Sequence, residues 1–169
     1  AEISGIGIGT PGIVDDKYRT VLGGADNIVG WKNIALADIL ERRFKVPVVL
    51  ENDANMMALG ELASGAGRNC ENVVFMTVGT GIGGALFING KLFSGHQNRG
   101  GELGHIPLII GGEECSCGSV GCLEQYASTA ALVRRFAQRA EEAKFKFDHE
   151  INGELIVALF KQENPIAIQ

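Results

Sequence analysis

The chain has 169 residues, of which 46% are hydrophobic, and it carries a formal net charge of −5 at pH 7. This length allows one large domain or two small lobes with an apolar core. The acidic charge and the absence of a basic run argue against a nucleic-acid surface, and no apolar stretch reaches the length of a membrane-spanning helix.

The first part of the chain predicts strands that alternate with helices, which is the order of an α/β fold. The four elements cover Ile3–Ile8, Leu36–Phe44, Val48–Leu50 and Ala54–Leu62. The first strand runs into Gly9–Gly12, which is a turn signal. Asn52 and Asp53 follow the second strand directly, and either side chain can cap the helix that begins there.

The second part predicts a strand, a hairpin and two helices, at Val73–Val78, Ala85–Phe93, Ser128–Lys144 and Glu154–Lys161. The hairpin is indicated by Asn89-Gly90 between two apolar runs, and Asn152 can cap the last helix. A glycine–threonine pair followed by further glycine ends the first strand, at residues 9–12, and recurs at residues 79–83. This recurrence, with a break near residues 54–72, indicates two related lobes.

The densest group of reactive side chains is a Cys-x-Cys pair followed by a third cysteine, with a histidine upstream. These are the four ligands that a closed tetrahedral zinc site needs: His105, Cys115, Cys117 and Cys122. Gly118 and Gly121 allow a turn tight enough for the sulfurs to converge. Adjacent-but-one cysteines rarely form a disulfide and nothing resembles a secretion signal, so we expect a reducing, cytoplasmic location. The alternative is a cluster of metal-free thiols.

Two further features point to proton transfer and phosphate binding. Asp53 follows a strand, at the sheet edge where open α/β folds bind ligands, and its carboxylate can accept a proton from a substrate hydroxyl. The alternative is a plain helix cap. The backbone N–H groups of Gly79–Gly84 can form a nest for nucleotide phosphates, although the spacing matches neither a Rossmann fingerprint nor a Walker A loop. The alternative there is a tight entry to the hairpin.

Carboxylates on both sides of the cysteine cluster suit a ligand with vicinal hydroxyls. Glu102 and Glu124 are such acceptors. A histidine that binds metal through one nitrogen can donate from the other, so His105 is a further candidate. Asn27 and Trp31 are interpreted as a turn residue and a core aromatic residue.

Four co-linear motifs resemble the ROK family of repressors and sugar kinases: Glu51–Asn55, Thr77–Gly84, Gly101–His105 and Cys115–Glu124. The similarity extends over nearly the whole chain. It implies an α/β fold of the actin-like ATPase (ribonuclease-H-like) type, with a sugar between two lobes and ATP with Mg²⁺ in the cleft. It also implies a homodimer.

The resemblance implies a role for each motif residue. Asp53 would be the catalytic base that takes the proton of the sugar's 6-hydroxyl. The sugar would be held by Asn52, Asp53, Glu102, His105 and Glu124. The phosphates of ATP would face Gly79, Thr80, Gly81, Gly83 and Gly84. Structural zinc would be bound by His105, Cys115, Cys117 and Cys122.

The resemblance also assigns residues 1–53 to the end of the N-terminal lobe and residues 54–169 to the first part of the C-terminal lobe, with the zinc loop at about 105–122. The family's first phosphate motif, Asp-x-Gly-Gly-Thr, is missing from this chain. We therefore expect an interior piece of a longer protein, with weak or no activity in isolation.

Three functions fit these motifs. The first is an ATP-dependent hexose kinase, with glucose favoured because Cys122–Ser128 looks like the glucokinase branch. The second is a sugar-sensing transcriptional repressor of the same family, which would add an N-terminal helix-turn-helix. The third is a stand-alone, zinc-stabilised sugar-binding module.

Overall fold

The structure is a computed structural model that describes residues 2–15, 17–25, 28–147 and 149–168. The chain forms two compact units. The first comprises Ala1–Met76 and Gly83–Glu102, and the second comprises Thr77–Ile82 and Leu103–Gln169. Asn27 lies outside the described residues. The lobe boundary after residue 53 is a different division of the chain and stays a prediction.

The first unit holds most of the described strands and two helices. The strands are β1 Ile6–Thr10, β2 Ile13–Val14, β3 Val21–Gly23, β4 Val48–Asn52, β5 Val73–Val78, β6 Ile82–Ile88 and β7 Lys91–Leu92. The helices are α1 Leu36–Phe44 and α2 Asp53–Ser64. The chain passes between the two units within β5 and again within β6.

The parallel pairing of β1 with β4 positions the start of α2. Thr10 pairs with Asn52, so both strands end at the same edge, and Asp53 follows at once. The strands are held by an apolar core of five buried residues: Val14, Val21, Ala37, Val48 and Leu50. Because these side chains are at most 4% exposed, the strand end that carries Asp53 rests on a well-packed base.

A cluster of ion pairs fixes α1 against the start of β4. The guanidinium of Arg19 binds Asp38 and Glu41 on α1, and Glu41 Oε1 also accepts the N–H of Val48 at 2.9 Å. The hydrogen bond from Arg19 holds the pKa of Glu41 below its ordinary value. Partial burial raises the pKa of Asp15, but the N–H groups of Arg19 and Thr20 outweigh it and lower that pKa overall.

The strands β5, β6 and β7 form a second sheet, in that order. Its hairpin turns at Asn89 and Gly90, whose φ angles of 53° and 72° are those of a type I′ turn. Ala58 of α2 packs with Ala85 and Phe87 of β6. The predicted Asn-Gly hairpin is therefore confirmed.

The second unit is mainly helical among the described residues. After a 3₁₀ turn at Leu103–His105 come α3 Glu124–Ala127, α4 Thr129–Glu142, α5 Gly153–Lys161 and α6 Pro165–Ile168. Ser128 Oγ accepts the N–H of Ala131 at 3.1 Å, and Asn152 Oδ1 accepts the N–H of Leu155 at 2.9 Å. Asn152 is thus the cap that the sequence predicts. No described helix combines the length and hydropathy that crossing a bilayer requires.

Three of the differences between the structure and the predicted elements concern strand ends and helix starts near the glycine-rich segments and the cysteine cluster. The first strand lies at Ile6–Thr10 because its last residues, predicted as a turn, still pair with β4. The predicted helix from Ser128 begins one residue later, with the separate short helix α3 before it. Gly83 and Gly84, predicted as loop, belong to β6.

Candidate functional site

The end of β4 presents two polar residues with different tasks. Asn52 is the N-cap of α2, because its Oδ1 accepts the N–H of Ala54 at 3.0 Å and of Asn55 at 3.2 Å. Its Nδ2 donates to the carbonyl of Gly12 at 3.1 Å. Asp53 is exposed, and its Oδ1 also accepts the N–H of Ala54, at 2.9 Å. Asn52 supplies the cap, so Asp53 is available for other chemistry.

A cavity of about 150 Å³ in the first unit brings this strand end together with other polar groups. Its polar side chains are Asn52, Asp53, Asn55, Asn98 and Glu102. Amide and carboxylate groups supply donors and acceptors in the mixture that a polyhydroxyl ligand needs. The cavity therefore unites three of the predicted sugar-binding residues, namely Asn52, Asp53 and Glu102.

Ala54 and four glycines form the rest of the cavity wall, and two of the glycines permit unusually close backbone approach. A Cβ at Gly12, where φ is +89°, would lie 2.3 Å from the carbonyl oxygen of Gly23. A Cβ at Gly100 would lie 2.2 Å from the carbonyl oxygen of Phe93. Gly83 and Gly84, predicted to face phosphates, line the same cavity as Asp53.

Sequence reasoning missed two of the cavity's amides. Asn55 follows Asn52 by three residues at the start of a helix, a spacing that places both side chains on one face and was a readable signal. Asn98 lies in a 3₁₀ turn and its Nδ2 donates to the carbonyl of Val14 at 3.1 Å. That contact joins distant parts of the chain, so no local pattern predicts it.

The four predicted metal ligands converge in the second unit. Their ligand atoms all lie within 4.8 Å of one another: His105, Cys115, Cys117 and Cys122. The sulfurs of Cys117 and Cys122 are 3.7 Å apart, and the sulfur of Cys115 is 3.5 Å from Nδ1 of His105. A tetrahedral zinc ion with ordinary bond lengths sets these separations at about 3.8 Å and about 3.6 Å. The donor set and its spacing therefore fit such an ion.

The surroundings of the thiols push their pKa values apart. Burial, together with Cys115 and Cys117, raises the pKa of Cys122 to about 11. Burial also opposes ionisation of Cys115, but hydrogen bonds from Cys117, Cys122 and Gln125 outweigh it and lower that pKa to about 6. A bound divalent ion would keep all of its thiol ligands deprotonated.

Residues outside the ligand set support the cluster. Gln125 Nε2 donates to the sulfur of Cys115 at 3.5 Å. Arg134 of α4 donates to the carbonyl of Gln125 at 2.7 Å and forms an ion pair with Glu113. Such outer contacts orient metal ligands in other proteins, and here they attach the cysteine cluster to α4.

The segment Gly79–Ile82, which we call the glycine loop, also lies in the second unit. The N–H of Ile82 donates to Oε2 of Glu124 at 2.7 Å, and the carbonyl of Gly79 accepts the N–H of Thr129 at 2.9 Å. A Cβ at Gly81 would lie 2.4 Å from Oε2 of Glu124. Of the loop residues predicted to face phosphates, Gly81 therefore lies against the carboxylate of Glu124, and Gly79 is hydrogen-bonded to Thr129.

Comparison with known proteins adds an independent finding. The ROK family model matches residues 1–169. The chain is 36% identical over 159 residues to the glucokinase of Halalkalibacterium halodurans, which covers 92% of this chain and 48% of that protein. It is 37% identical over 148 residues to the xylose repressor of Bacillus subtilis, covering 88% of this chain and 37% of that protein. The chain thus spans about half, or less, of these relatives.

Solved structures give the same result. A ROK family glucokinase from Streptomyces griseus, in complex with glucose and AMPPNP, superposes with a TM-score of 0.84 at 40% identity, over 99% of this chain and 56% of that one. A ROK family transcriptional regulator homologous to the MLC protein of E. coli superposes with a TM-score of 0.82 at 30% identity, over 98% and 42%. The predicted α/β fold of the actin-like ATPase type is confirmed, and the chain belongs to the ROK family.

Proposed function

We propose that the protein containing this chain is a kinase that transfers a phosphoryl group from ATP to the 6-hydroxyl of a hexose, with glucose as the favoured substrate. The observation that carries the proposal is the cavity in which Asp53, Glu102, Gly83 and Gly84 meet. A carboxylate beside glycine backbone is what a hydroxyl nucleophile and a phosphate require together. The similarity to a glucokinase bound to glucose and AMPPNP supports the same substrates.

Asp53 is the proposed general base. It accepts the proton of the hydroxyl as the sugar oxygen attacks the γ-phosphorus and the bond from that phosphorus to the departing ADP breaks. The sugar oxygen therefore never carries a full charge without a partner. The paired strands β1 and β4 hold the carboxylate in position. Correct positioning relative to the reacting hydroxyl is a large part of what a general base contributes. Mg²⁺ bound with ATP supplies charge neutralisation for the phosphates.

The sugar contacts are proposed on the same basis. Asn52 uses its oxygen for the cap and one N–H for Gly12, so one N–H remains for a ligand. Glu102 lines the cavity and offers an acceptor for a second hydroxyl. The roles of His105 and Glu124 in sugar binding come from the resemblance and stay predictions, as do the homodimer and the cytoplasmic location.

We further propose that the cysteine cluster binds zinc in a structural role. Three sulfurs and one imidazole nitrogen fill all four positions of a tetrahedron, which leaves none open for a substrate. The residues that would hold the ion are His105, Cys115, Cys117 and Cys122.

The test is an assay of ADP release by the full-length protein with Mg-ATP and a panel of hexoses. We expect turnover with one hexose, glucose first, and loss of that turnover in the Asp53→Asn variant. Sugar binding without any turnover in the wild type would overturn the kinase proposal.

A second candidate function has a specific observation in its favour, which is the 37% identity to a xylose repressor. A sugar-responsive repressor would bind an operator-containing duplex DNA and release it when the sugar binds. Absence of ADP release, together with sugar-dependent release of DNA, would replace the kinase by this function.

A further inference from the structure

The glycine loop ends on a peptide group that is held from two sides by the cysteine cluster region. On one side the N–H of Ile82 donates to Oε2 of Glu124 at 2.7 Å. On the other side the carbonyl of Ile82 faces Gly104 so closely that a Cβ there would lie 2.1 Å from its oxygen. Ile82 is itself 6% exposed, so its peptide is buried as well as contacted on both sides.

The two residues that contact the Ile82 peptide, Gly104 and Glu124, are close in sequence to proposed zinc ligands. Gly104 immediately precedes His105, and Glu124 comes two residues after Cys122. Since four ligands around one ion fix the backbone on both sides of the cluster, they also fix the two residues that hold Ile82. The position of the glycine loop therefore depends on the cysteine cluster through short covalent connections and one charge-assisted hydrogen bond.

We infer that Glu124 is a positioning residue for the glycine loop, and that its carboxylate sets the loop on which nucleotide phosphates are proposed to bind. This inference rests on the proposed function. It differs from the sugar-binding role that the resemblance implies, because Oε2 is directed at a backbone N–H of the loop. A carboxylate has two oxygens, so Oε1 can still accept a ligand hydroxyl while Oε2 holds the loop.

The loop sequence is adapted to this contact. Glu124 reaches Ile82 past Gly81, where a Cβ would come 2.4 Å from Oε2. The N–H of Thr129, five residues beyond Glu124, holds the carbonyl of Gly79 at 2.9 Å. Both ends of the glycine loop are thus attached to the segment that follows the last cysteine, at the first turns of α3 and α4.

One consequence is an energetic link between the two substrates. A sugar hydroxyl that binds Glu124 would stabilise the contact between Glu124 and Ile82 and so raise the affinity for the nucleotide. A nucleotide that orders the loop would raise the affinity for the sugar by the same factor. Glu124 then contributes to nucleotide affinity even when no sugar is present. A residue that served sugar binding alone would leave that affinity unchanged.

The test compares Glu124→Ala with Glu124→Gln in the full-length protein, by calorimetry with Mg-AMPPNP in the absence of sugar. The glutamine oxygen still accepts the N–H of Ile82, so we expect a Kd within about two-fold of the wild type. The alanine removes the contact, and we expect a Kd about five- to ten-fold weaker, in the range of typical coupling between sites. Glu114→Gln, an exposed glutamate of the same region, is the matched control.

Hydrogen–deuterium exchange of residues 77–84, without ligands, provides a readout that needs no activity. We expect faster exchange in Glu124→Ala, and equally in Gly81→Ala, which disrupts the same contact from the loop. Exchange in Glu124→Gln and Glu114→Gln should match the wild type, with bound zinc equal in every variant.

An unchanged or tighter nucleotide Kd in Glu124→Ala, or unchanged exchange of residues 77–84, would overturn the inference. A wild type that binds no nucleotide would overturn the proposed kinase function instead, and the exchange data alone would then decide the role of Glu124.

Discussion

Two neighbouring side chains at the end of β4 divide the work of structure and chemistry. Asn52 satisfies the first N–H groups of α2 and ties β4 to the carbonyl of Gly12. Asp53 starts the same helix, but its one bond there, from the N–H of Ala54, duplicates a bond that Asn52 already accepts. A substitution at Asp53 should therefore affect catalysis with little effect on folding, whereas one at Asn52 should affect both.

The first prediction concerns Asp53→Asn in the full-length protein. We expect kcat to fall by about 10²- to 10⁴-fold, the usual contribution of a general base, because the amide cannot accept the proton. The Kd for the hexose, measured by calorimetry, should stay within a few-fold. Loss of sugar binding together with kcat would show that Asp53 is a binding residue first.

The second prediction compares Cys117→Ser with Cys70→Ser. Both cysteines are exposed, but only Cys117 belongs to the four-residue cluster. A 100-fold loss of metal affinity removes about 2.7 kcal/mol of linked stability. That loss lowers Tm by roughly 5–11 °C for a chain of this size. We expect Cys117→Ser to lose bound zinc and to show this drop in a thermal melt.

Cys70→Ser should keep its zinc content and the Tm of the wild type. A Cys117→Ser protein with normal zinc and normal Tm would rule out a structural metal at this cluster.

At the scale of elements, α1 and β4 are joined by charged groups as well as by the core. Arg19 binds two carboxylates of α1, and one of them, Glu41, also accepts the N–H of Val48. Glu41 thereby connects three segments of the first unit. Because its pKa is lowered in the folded protein, it contributes stability above its ordinary pKa of 4.5 and loses that contribution as the pH falls.

The third prediction follows from that sign. We expect Glu41→Gln to be less stable than the wild type at pH 7, and the difference in Tm to shrink as the pH falls through 4.5 and below. Thermal melts at a series of pH values measure it, with Glu150→Gln as an exposed control. A difference in Tm that stayed constant with pH would contradict the assigned role.

Element predictions succeeded where the signal was local. The continuous apolar run predicted β5 with the observed ends, and the Asn-Gly pair predicted the hairpin turn. The two- and three-residue strands β2 and β3 were missed because periodicity needs a longer window. At the candidate site, Asp53 was proposed from its position after a strand, and the cysteines were proposed from their spacing. The contacts of Glu124 with Ile82 and of Asn98 with Val14 join distant positions, so tertiary packing alone creates them.

At the scale of the whole molecule, the proposed chemistry is distributed over two compact units. The first contains Asp53 and its cavity, and the second contains the cysteine cluster and the glycine loop. Each unit has its own buried side chains, such as Leu50 in the first and Phe136 in the second. Loss of the metal should therefore lower the local stability of the second unit before that of the first.

The fourth prediction tests that asymmetry by chelation. After removal of zinc from the full-length protein, hydrogen–deuterium exchange should rise across residues 103–127, since the metal ligands are there. Exchange of residues 6–10 and 48–52 should change little, because their ladder and core contain no ligand. A uniform rise throughout the chain would show instead that the metal stabilises both units together.

The connectivity of the two units limits how this chain can be divided. The chain leaves the first unit after Met76, forms the glycine loop of the second, and returns at Gly83. A single cut in the chain therefore cannot release either unit intact. A gene segment that encoded residues 103–169 alone would lack the glycine loop. Glu124 would then lose the N–H of Ile82 that it accepts, and Thr129 would lose the carbonyl of Gly79 to which it donates. A truncated or chimeric chain consequently has to contain the cysteine cluster and the glycine loop together.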